Sequence, residues 1–539
     1  MAELSAKQSP GVDTDVIIVG AGWGGMYMLH QCRKLGLSAK VLEKGPSVGG
    51  TWYWNRYPGL RCDVESTLYS FSFDHELEQE WTWTERYAAQ PEILRYANHI
   101  ADRFDLRRDI RFNTAVTAVR YDESKKLWRV SAEGMAESTA RFVVMATGCL
   151  TVPKDVNIPG LEQFKGAVYH TARWPETPVN FSGKRVGVIG TGSSAIQAIP
   201  IIAEQAKHLY VFQRTPSYSL PAKNRKLESG FVADVKRNYD SLRQEARYHL
   251  VGIPAPTYAA SVFDVDEATR TKIFDACYDN GLPFALMVTF GDLLASEEAN
   301  QTAQDYLARR IRERVNDPEL AEQLIPKGQF VGTRRLCIDT GYYETFNRDN
   351  VTLKNIAKNP IKSITETGVQ LVDGQVDLDC LVFATGYDAM TGALLAIDIR
   401  GEGGAQLKDR WAAGPRTMMG LMMADFPNLF TITGPGSPSV LSNMVLSIEQ
   451  HVEWIAECLK HMQASGKQTI EPLAEAQDQW VNHVNEVANS TLFPRGNTWY
   501  MGANVPGKPR VFMPYLGVGP YRTLCEEVTA AGYKGFALS

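Results

Sequence analysis

The sequence has no paired cysteines. Its eight, Cys32, Cys62, Cys149, Cys277, Cys337, Cys380, Cys458 and Cys525, lie at least thirty positions apart. That spacing excludes a C-x-x-C redox pair or zinc knuckle and offers no compact disulfide framework. These residues read instead as small buried apolar groups. The nine histidines are equally scattered, so no metal site is expected. No apolar run reaches the eighteen or so residues that a membrane span needs. The opening MAELSAKQSPGVDTD lacks the basic head and apolar stretch of a secretory signal. Charge of one sign is also missing: 56 basic residues face 61 acidic ones, for a net charge of −5, with no Lys/Arg run. Nucleic acid and membrane are therefore not expected as partners, and a reducing, cytoplasmic setting is the default.

What is present is an ordinary globular balance, 44% hydrophobic and 22% charged over 539 residues, enough for about three domains. From Asp15, D-V-I-I-V reads as a buried strand running into Gly20-Ala21-Gly22-Trp23-Gly24-Gly25. A helical stretch follows to Gly36, then a second strand, A-K-V-L, that ends at Glu43. Strand, glycine turn, helix, strand and acid together form a dinucleotide-binding fingerprint. Gly20 permits the tight turn, Gly22 lets a pyrophosphate approach the backbone, and Gly25 lets helix and strand pack closely. The helix start offers N–H groups and a positive dipole end to phosphate, and Glu43 is placed to accept from a ribose diol.

The pattern recurs from Lys184. The apolar R-V-G-V-I enters Gly190-Thr191-Gly192-Ser193-Ser194-Ala195, a helix follows, and a second strand, L-Y-V-F-Q, leads to Arg214 and Thr215. The acid is absent here. A carboxylate would repel a 2′-phosphate, whereas Arg214 accepts one in a charge-assisted contact. The first site should take FAD and the second NADP(H).

A further duplicated feature sets the order of the chain. F-V-V-M and L-V-F are apolar strands that run into Ala146-Thr147-Gly148 and Ala384-Thr385-Gly386, each after a strand-like meander. Each A-T-G closes one nucleotide unit. The expected fold is α/β, with two Rossmann-like domains, the NADP domain inserted in the FAD domain. The FAD domain takes 1–150 and 387–539, the latter with a C-terminal mobile loop, and the NADP domain takes 151–220 and 331–386. Residues 221–330 are charged and amphipathic without a glycine turn, and read as a helical insertion.

Two nucleotide sites leave several chemistries open. A flavin disulfide reductase needs a close cysteine pair, which is missing. NADPH oxidases, monooxygenases and, outside catalysis, an FAD-fold binding protein remain.

Phe164-Lys165-Gly166-Ala167-Val168-Tyr169-His170-Thr171-Ala172-Arg173-Trp174-Pro175 resembles the F-x-G-x-x-x-H-x-x-x-W-P fingerprint of the type I Baeyer–Villiger monooxygenases at every defined position. Flavin-containing monooxygenases and N-hydroxylases carry a similar segment that differs at the Trp-Pro end. The segments Gly49 to Pro58, Arg61-Cys62-Asp63, Pro326-Lys327-Gly328 with Arg334-Arg335, and Trp499-Tyr500 before Gly502-Ala503-Asn504 look like the same family. The likeness covers essentially the whole chain and leans to the members that oxygenate cyclohexanone and phenylacetone.

The resemblance implies an enzyme that uses NADPH and O2 to turn ketones into esters or lactones through a peroxide on the flavin C4a carbon. Sulfoxidation is an implied side activity. Arg335 matches the family's active-site arginine and Asp63 the acid that orients it. A guanidinium suits a peroxide anion because it has donors but no transferable proton at neutral pH. Arg214, Thr215 and Arg334 would hold the 2′-phosphate. Gly190, Thr191, Gly192, Ser193, Ser194 and Gln197 would lie near the pyrophosphate. Trp499 would sit on a mobile loop over the nicotinamide. Thr51, Trp52, Asp63, Tyr69 and Val116 match flavin-side positions. His170 is read as part of a domain-coupling strand rather than as a base. Val440, Leu441, Met444 and Met422 would form an apolar ketone pocket. The partners are a small ketone and O2, and a monomer is expected.

Overall fold

The computed structural model describes residues 12–539. The reading of the first residues as no secretory signal therefore lies largely outside the described residues. The strand expected from D-V-I-I-V is Thr14–Val19, buried along its whole length. It lies parallel to Ala39–Leu42 on one side and to Ser138–Met145 on the other. Strands covered on both faces need continuous apolar runs, which is what these segments supply.

Ser138–Met145 forks the sheet. Its first half pairs antiparallel with Leu127–Ala132, the returning arm of the meander that begins at Val116–Asp122. Its second half pairs in parallel with Leu429–Thr431, and Asp398–Arg400 extends the far edge beside Val116–Asp122. The C-terminal part of the chain thus re-enters the sheet that its N-terminal part began.

Between those visits the chain builds a second, wholly parallel sheet. Its order is Val351–Asn355, His208–Gln213, Arg185–Ile189, Cys380–Phe383, Ala167–His170. A small antiparallel meander over 361–377 covers one end. The second sheet is thus built from strands that lie between the chain's two visits to the first.

The charged stretch after the second glycine turn folds as helices, among them Tyr239–Tyr248, Glu267–Asp279, Pro283–Val288 and Glu297–Arg314. They are bracketed by a short parallel pair, Ser219–Pro221 with Cys337–Asp339. Asp266 and Ser296 cap two of them by accepting N–H bonds from the first turn. All eight cysteines are buried and unpaired. Among the described residues no helix is long and apolar enough to cross a membrane.

Candidate functional site

The two glycine turns are built alike at the level of single atoms. Gly20 has φ +103° and Gly190 φ +117°, a region that side chains rarely adopt. A methyl on Gly20 would fall 2.7 Å from the Ala146 carbonyl oxygen, and one on Gly190 2.4 Å from that of Ala384. Each A-T-G therefore packs on the first glycine of its own turn. Gly25 is held by the tightest contact of the motif, since a methyl there would lie 1.8 Å from the Gly20 oxygen.

Gly22 and Gly192 differ from these. A methyl on Gly22 would meet nothing closer than 3.5 Å, and one on Gly192 nothing within 4 Å. The protein itself does not need glycine there, so the free space fits a ligand that presses on the backbone. The helices Trp23–Lys34 and Ser193–Gln205 start at these two glycines with no side-chain cap, leaving first-turn N–H groups for phosphate oxygens. The residues present thus fit two dinucleotides. Glu43 closes the first turn from the other side. Its carboxylate accepts from the Ala21 and Gly45 N–H groups at 2.6 Å each. Burial raises its pKa, against the opposing pull of those two N–H bonds. Bracing the loop is a task that motif reading had not assigned to it.

At the second turn, Thr191 Oγ1 donates to the Thr215 carbonyl at 2.8 Å and so holds turn and strand end together. Arg214 is exposed, and among the described residues no carboxylate pairs with it. Arg334 approaches it: burial lowers the Arg334 pKa first, and the Arg214 charge lowers it further. Lys154 is lowered by burial and then by the same Arg214, with Asp388 opposing. Arg214, Arg334 and Lys154 gather more positive charge than the one nearby carboxylate, Asp388, offsets, and so form an electrostatic hole for a dianionic group. Lys154 was missed because it lies in the loop after the first A-T-G, outside any motif. Ser193 Oγ bonds Cys337 Sγ at 3.0 Å, while Ser194 stays half-buried beside Tyr57. The Gln197 amide is engaged by the protein. It accepts from Tyr57 Oη at 3.1 Å and donates to the Arg61 carbonyl at 3.0 Å, tying the second helix to the first unit.

Asp63 and Arg335 meet where the units join. Arg335 Nε and Nη2 each donate to Asp63 at 2.7 Å, and Nη1 donates to the Val440 carbonyl at 2.8 Å. Phe284 lies against the guanidinium, 4.3 Å from its central carbon. Burial alone would lower the Arg335 pKa, but the Asp63 carboxylate outweighs it and the net shift is upward. The group is a permanent cation. On the flavin side, Trp52 Nε1 donates to Tyr69 Oη at 3.2 Å. Thr51 is exposed at the start of the short helix Thr51–Trp54, and Val116 is half-buried at a strand start.

Arg335 forms one wall of an otherwise apolar cavity whose lining includes Leu250, Phe284, Met287, Leu441, Phe493 and Tyr500. Of the four expected pocket residues only Leu441 lines it. Val440 contributes its carbonyl to Arg335, and Met444 opens the long helix Met444–Ser465. Met422 does not line this cavity: it is fully buried, and its backbone bridges to Met418 and Phe430. Phe284 and Met287 were missed although P-F-A-L-M-V stands out as the apolar run of a charged segment.

His170 ends the edge strand Ala167–His170, and its Nδ1 accepts from the Ala172 N–H at 3.1 Å. The other nitrogen meets Thr385 Oγ1 at 3.3 Å. Both ring nitrogens are thus engaged in structure. Trp174 is buried beside Tyr169 and Phe181. Trp499 lies tilted against Tyr500 with ring centroids 4.2 Å apart, and Arg334 Nη2 donates to the Asn497 carbonyl just before it at 3.0 Å.

Residues 17–251 match the family model described as pyridine nucleotide-disulphide oxidoreductase. The redox cysteine pair of that description is absent here, so the match concerns the nucleotide fold. The chain is 42% identical over 528 residues to an acetone monooxygenase (methyl acetate-forming) of Gordonia sp. (strain TY-5), covering 97% of this chain and 99% of that protein. It is 41% identical over 527 residues to a Baeyer–Villiger monooxygenase of Pseudooceanicola batsensis, covering 97% and 96% of the two. A solved oxidized steroid monooxygenase bound to NADP superposes with a TM-score of 0.94 at 48% identity, over 97% of this chain and 99% of that one. Identity of this extent, spanning both glycine turns, the fingerprint segment and the Asp63–Arg335 pair, makes the chain a member of the Baeyer–Villiger monooxygenases.

Proposed function

We propose that this protein converts ketones into esters or lactones with NADPH and O2, and that Arg335 and Asp63 carry the chemical step. The observation that supports this most is the placement of a doubly held guanidinium on the wall of an apolar cavity. The first glycine turn would hold FAD, which when bound would supply the activation of dioxygen, and the second would hold the NADPH that provides the electrons.

The chain's own residues do the rest. Arg335 stabilises negative charge that develops on oxygen and cannot neutralise it by giving up a proton. Asp63 fixes the guanidinium fork and its direction. The apolar lining excludes water, which strengthens that electrostatic stabilisation. Arg214, Arg334 and Lys154 select NADPH by its 2′-phosphate. Trp499 and the turn around it cover the nicotinamide side. An apolar pocket discriminates weakly, one methylene being worth about 1–3 kcal/mol, so cyclic, aryl and linear ketones are all expected substrates, with sulfides as a side class. The buried, unpaired thiols suit a reducing cytoplasmic setting.

The test is to incubate purified protein with NADPH, oxygen and a panel of cyclohexanone, phenylacetone and thioanisole, and to identify products by mass. Lactone or ester is the expected product. Sulfoxide alone would move the protein to heteroatom oxidation, and hydrogen peroxide alone would make it an oxidase.

A further inference from the structure

Two side chains on the cavity wall bear hydrogen-bonding groups: Arg335 and Tyr500. Every other lining residue is apolar or glycine. Tyr500 is 1% exposed, and its hydroxyl lies within hydrogen-bonding reach of the Arg335 guanidinium. A guanidinium only donates, so a hydroxyl beside it serves as acceptor and keeps its own O–H for another group, and a buried donor calls for an acceptor.

The ring is held firmly. Phe493 packs edge-on at 5.7 Å and Trp499 tilts over it at 4.2 Å, while the Tyr500 carbonyl accepts from the Met513 N–H at 2.9 Å. The hydroxyl therefore points from a fixed platform. Burial pushes its pKa far above neutrality, with Arg335 the largest opposing influence, so it stays a protonated donor at working pH. Arg335 has five N–H bonds, of which three are spent on Asp63 and Val440. The remaining ones and the Tyr500 O–H share one apolar chamber.

We propose that Tyr500 is a substrate-binding residue that donates a hydrogen bond to the carbonyl oxygen of the ketone and aligns it beside Arg335. A carbonyl oxygen has two lone pairs and can accept from both donors at once. A substrate without a strong acceptor, such as a thioether, gains nothing from the hydroxyl. This inference rests on the ketone reading above. It adds a specificity rule: the cavity favours carbonyl compounds over soft sulfur compounds through Tyr500, not through its apolar walls.

The test is Tyr500→Phe in the holoenzyme, which keeps the ring and its packing and removes only the hydroxyl. KM is measured for cyclohexanone and for thioanisole, together with hydrogen peroxide released per NADPH. The ratio of ketone KM to thioether KM should rise about three- to tenfold, the effect of one neutral hydrogen bond. Peroxide release should rise with ketone present. An unchanged ratio, including one where both KM values rise together, overturns the assignment and leaves Tyr500 a packing residue. Wild-type protein that makes no lactone from any ketone overturns the ketone reading itself, and the Tyr500 role falls with it.

Discussion

Arg335 grips Asp63 through two parallel N–H···O bonds of 2.7 Å, across a sequence separation of 272 residues. A third bond to Val440 and the face of Phe284 fix the cation from two more sides. Arg335→Ala should leave FAD bound but abolish ester formation. Arg335→Lys keeps the charge and loses the fork, so ester formation should still fall about 100-fold or more. Product analysis beside the flavin absorbance checks both, and full ester yield from either variant would remove Arg335 from the chemistry.

Arg214 lies among the cations Arg334 and Lys154 and forms no ion pair of its own among the described residues. Arg214→Ala should lower kcat/KM for NADPH about 10- to 100-fold, the value of a charge-assisted bond, and barely affect NADH. Equal losses for the two cofactors would make Arg214 structural.

The glycines separate folding from ligand binding. Gly22→Ala and Gly192→Ala meet no close protein atom, so the apo proteins should be as stable as the parent or up to about 1 kcal/mol more so. Gly22→Ala should nevertheless lose FAD, and Gly192→Ala should lose NADPH affinity. Gly25→Ala, with a methyl 1.8 Å from a carbonyl oxygen, should not fold. Thermal melts with flavin quantification tell the three apart.

The helical insertion is clamped to the first unit by Arg243, which donates to Glu78 at 3.1 Å, the Leu68 carbonyl at 3.0 Å and Ser70 Oγ at 2.7 Å. Both members of the ion pair are nearly inaccessible. Arg243→Ala leaves Glu78 buried and uncompensated, which should cost about 3–5 kcal/mol in denaturant unfolding. Replacing both residues with apolar ones of similar size should recover most of that loss.

Burial lifts the Glu453 carboxyl to about 7, with Glu449 one helical turn away adding to the shift and Arg522 and Arg247 opposing it. An unfolded carboxyl titrates near 4.5. Between these values the folded protein binds more protons than the unfolded chain, so stability falls as pH rises from about 4.5 through 7. Glu453→Gln should therefore have a higher Tm than the parent at pH 8 and the same Tm at pH 4. A pH-independent difference would show that Glu453 does not set this slope.

Both glycine turns, the A-T-G strand ends and the inserted order could be read from the chain because each rests on local physics. Positive φ at Gly20 and Gly190 demands glycine, and doubly covered strands demand unbroken apolar runs. The place of Arg214 follows from related local physics: a strand of set length after a set turn puts its end beside that turn. The pocket walls were not. Only Leu441 of four expected residues lines the cavity, and Met422 went to the core, since an apolar residue looks the same in either place.

The sequence by itself determined two nucleotide turns, their preferences and, through the fingerprint segment, the family. Tertiary structure alone decided that Lys154 joins Arg214, and that Phe284 from the helical insertion and Tyr500 from the C-terminal loop close one chamber. The division has one cause. Turn sterics and strand burial act over a few neighbouring residues, whereas charge pairing and cavity shape act through space between segments hundreds of residues apart.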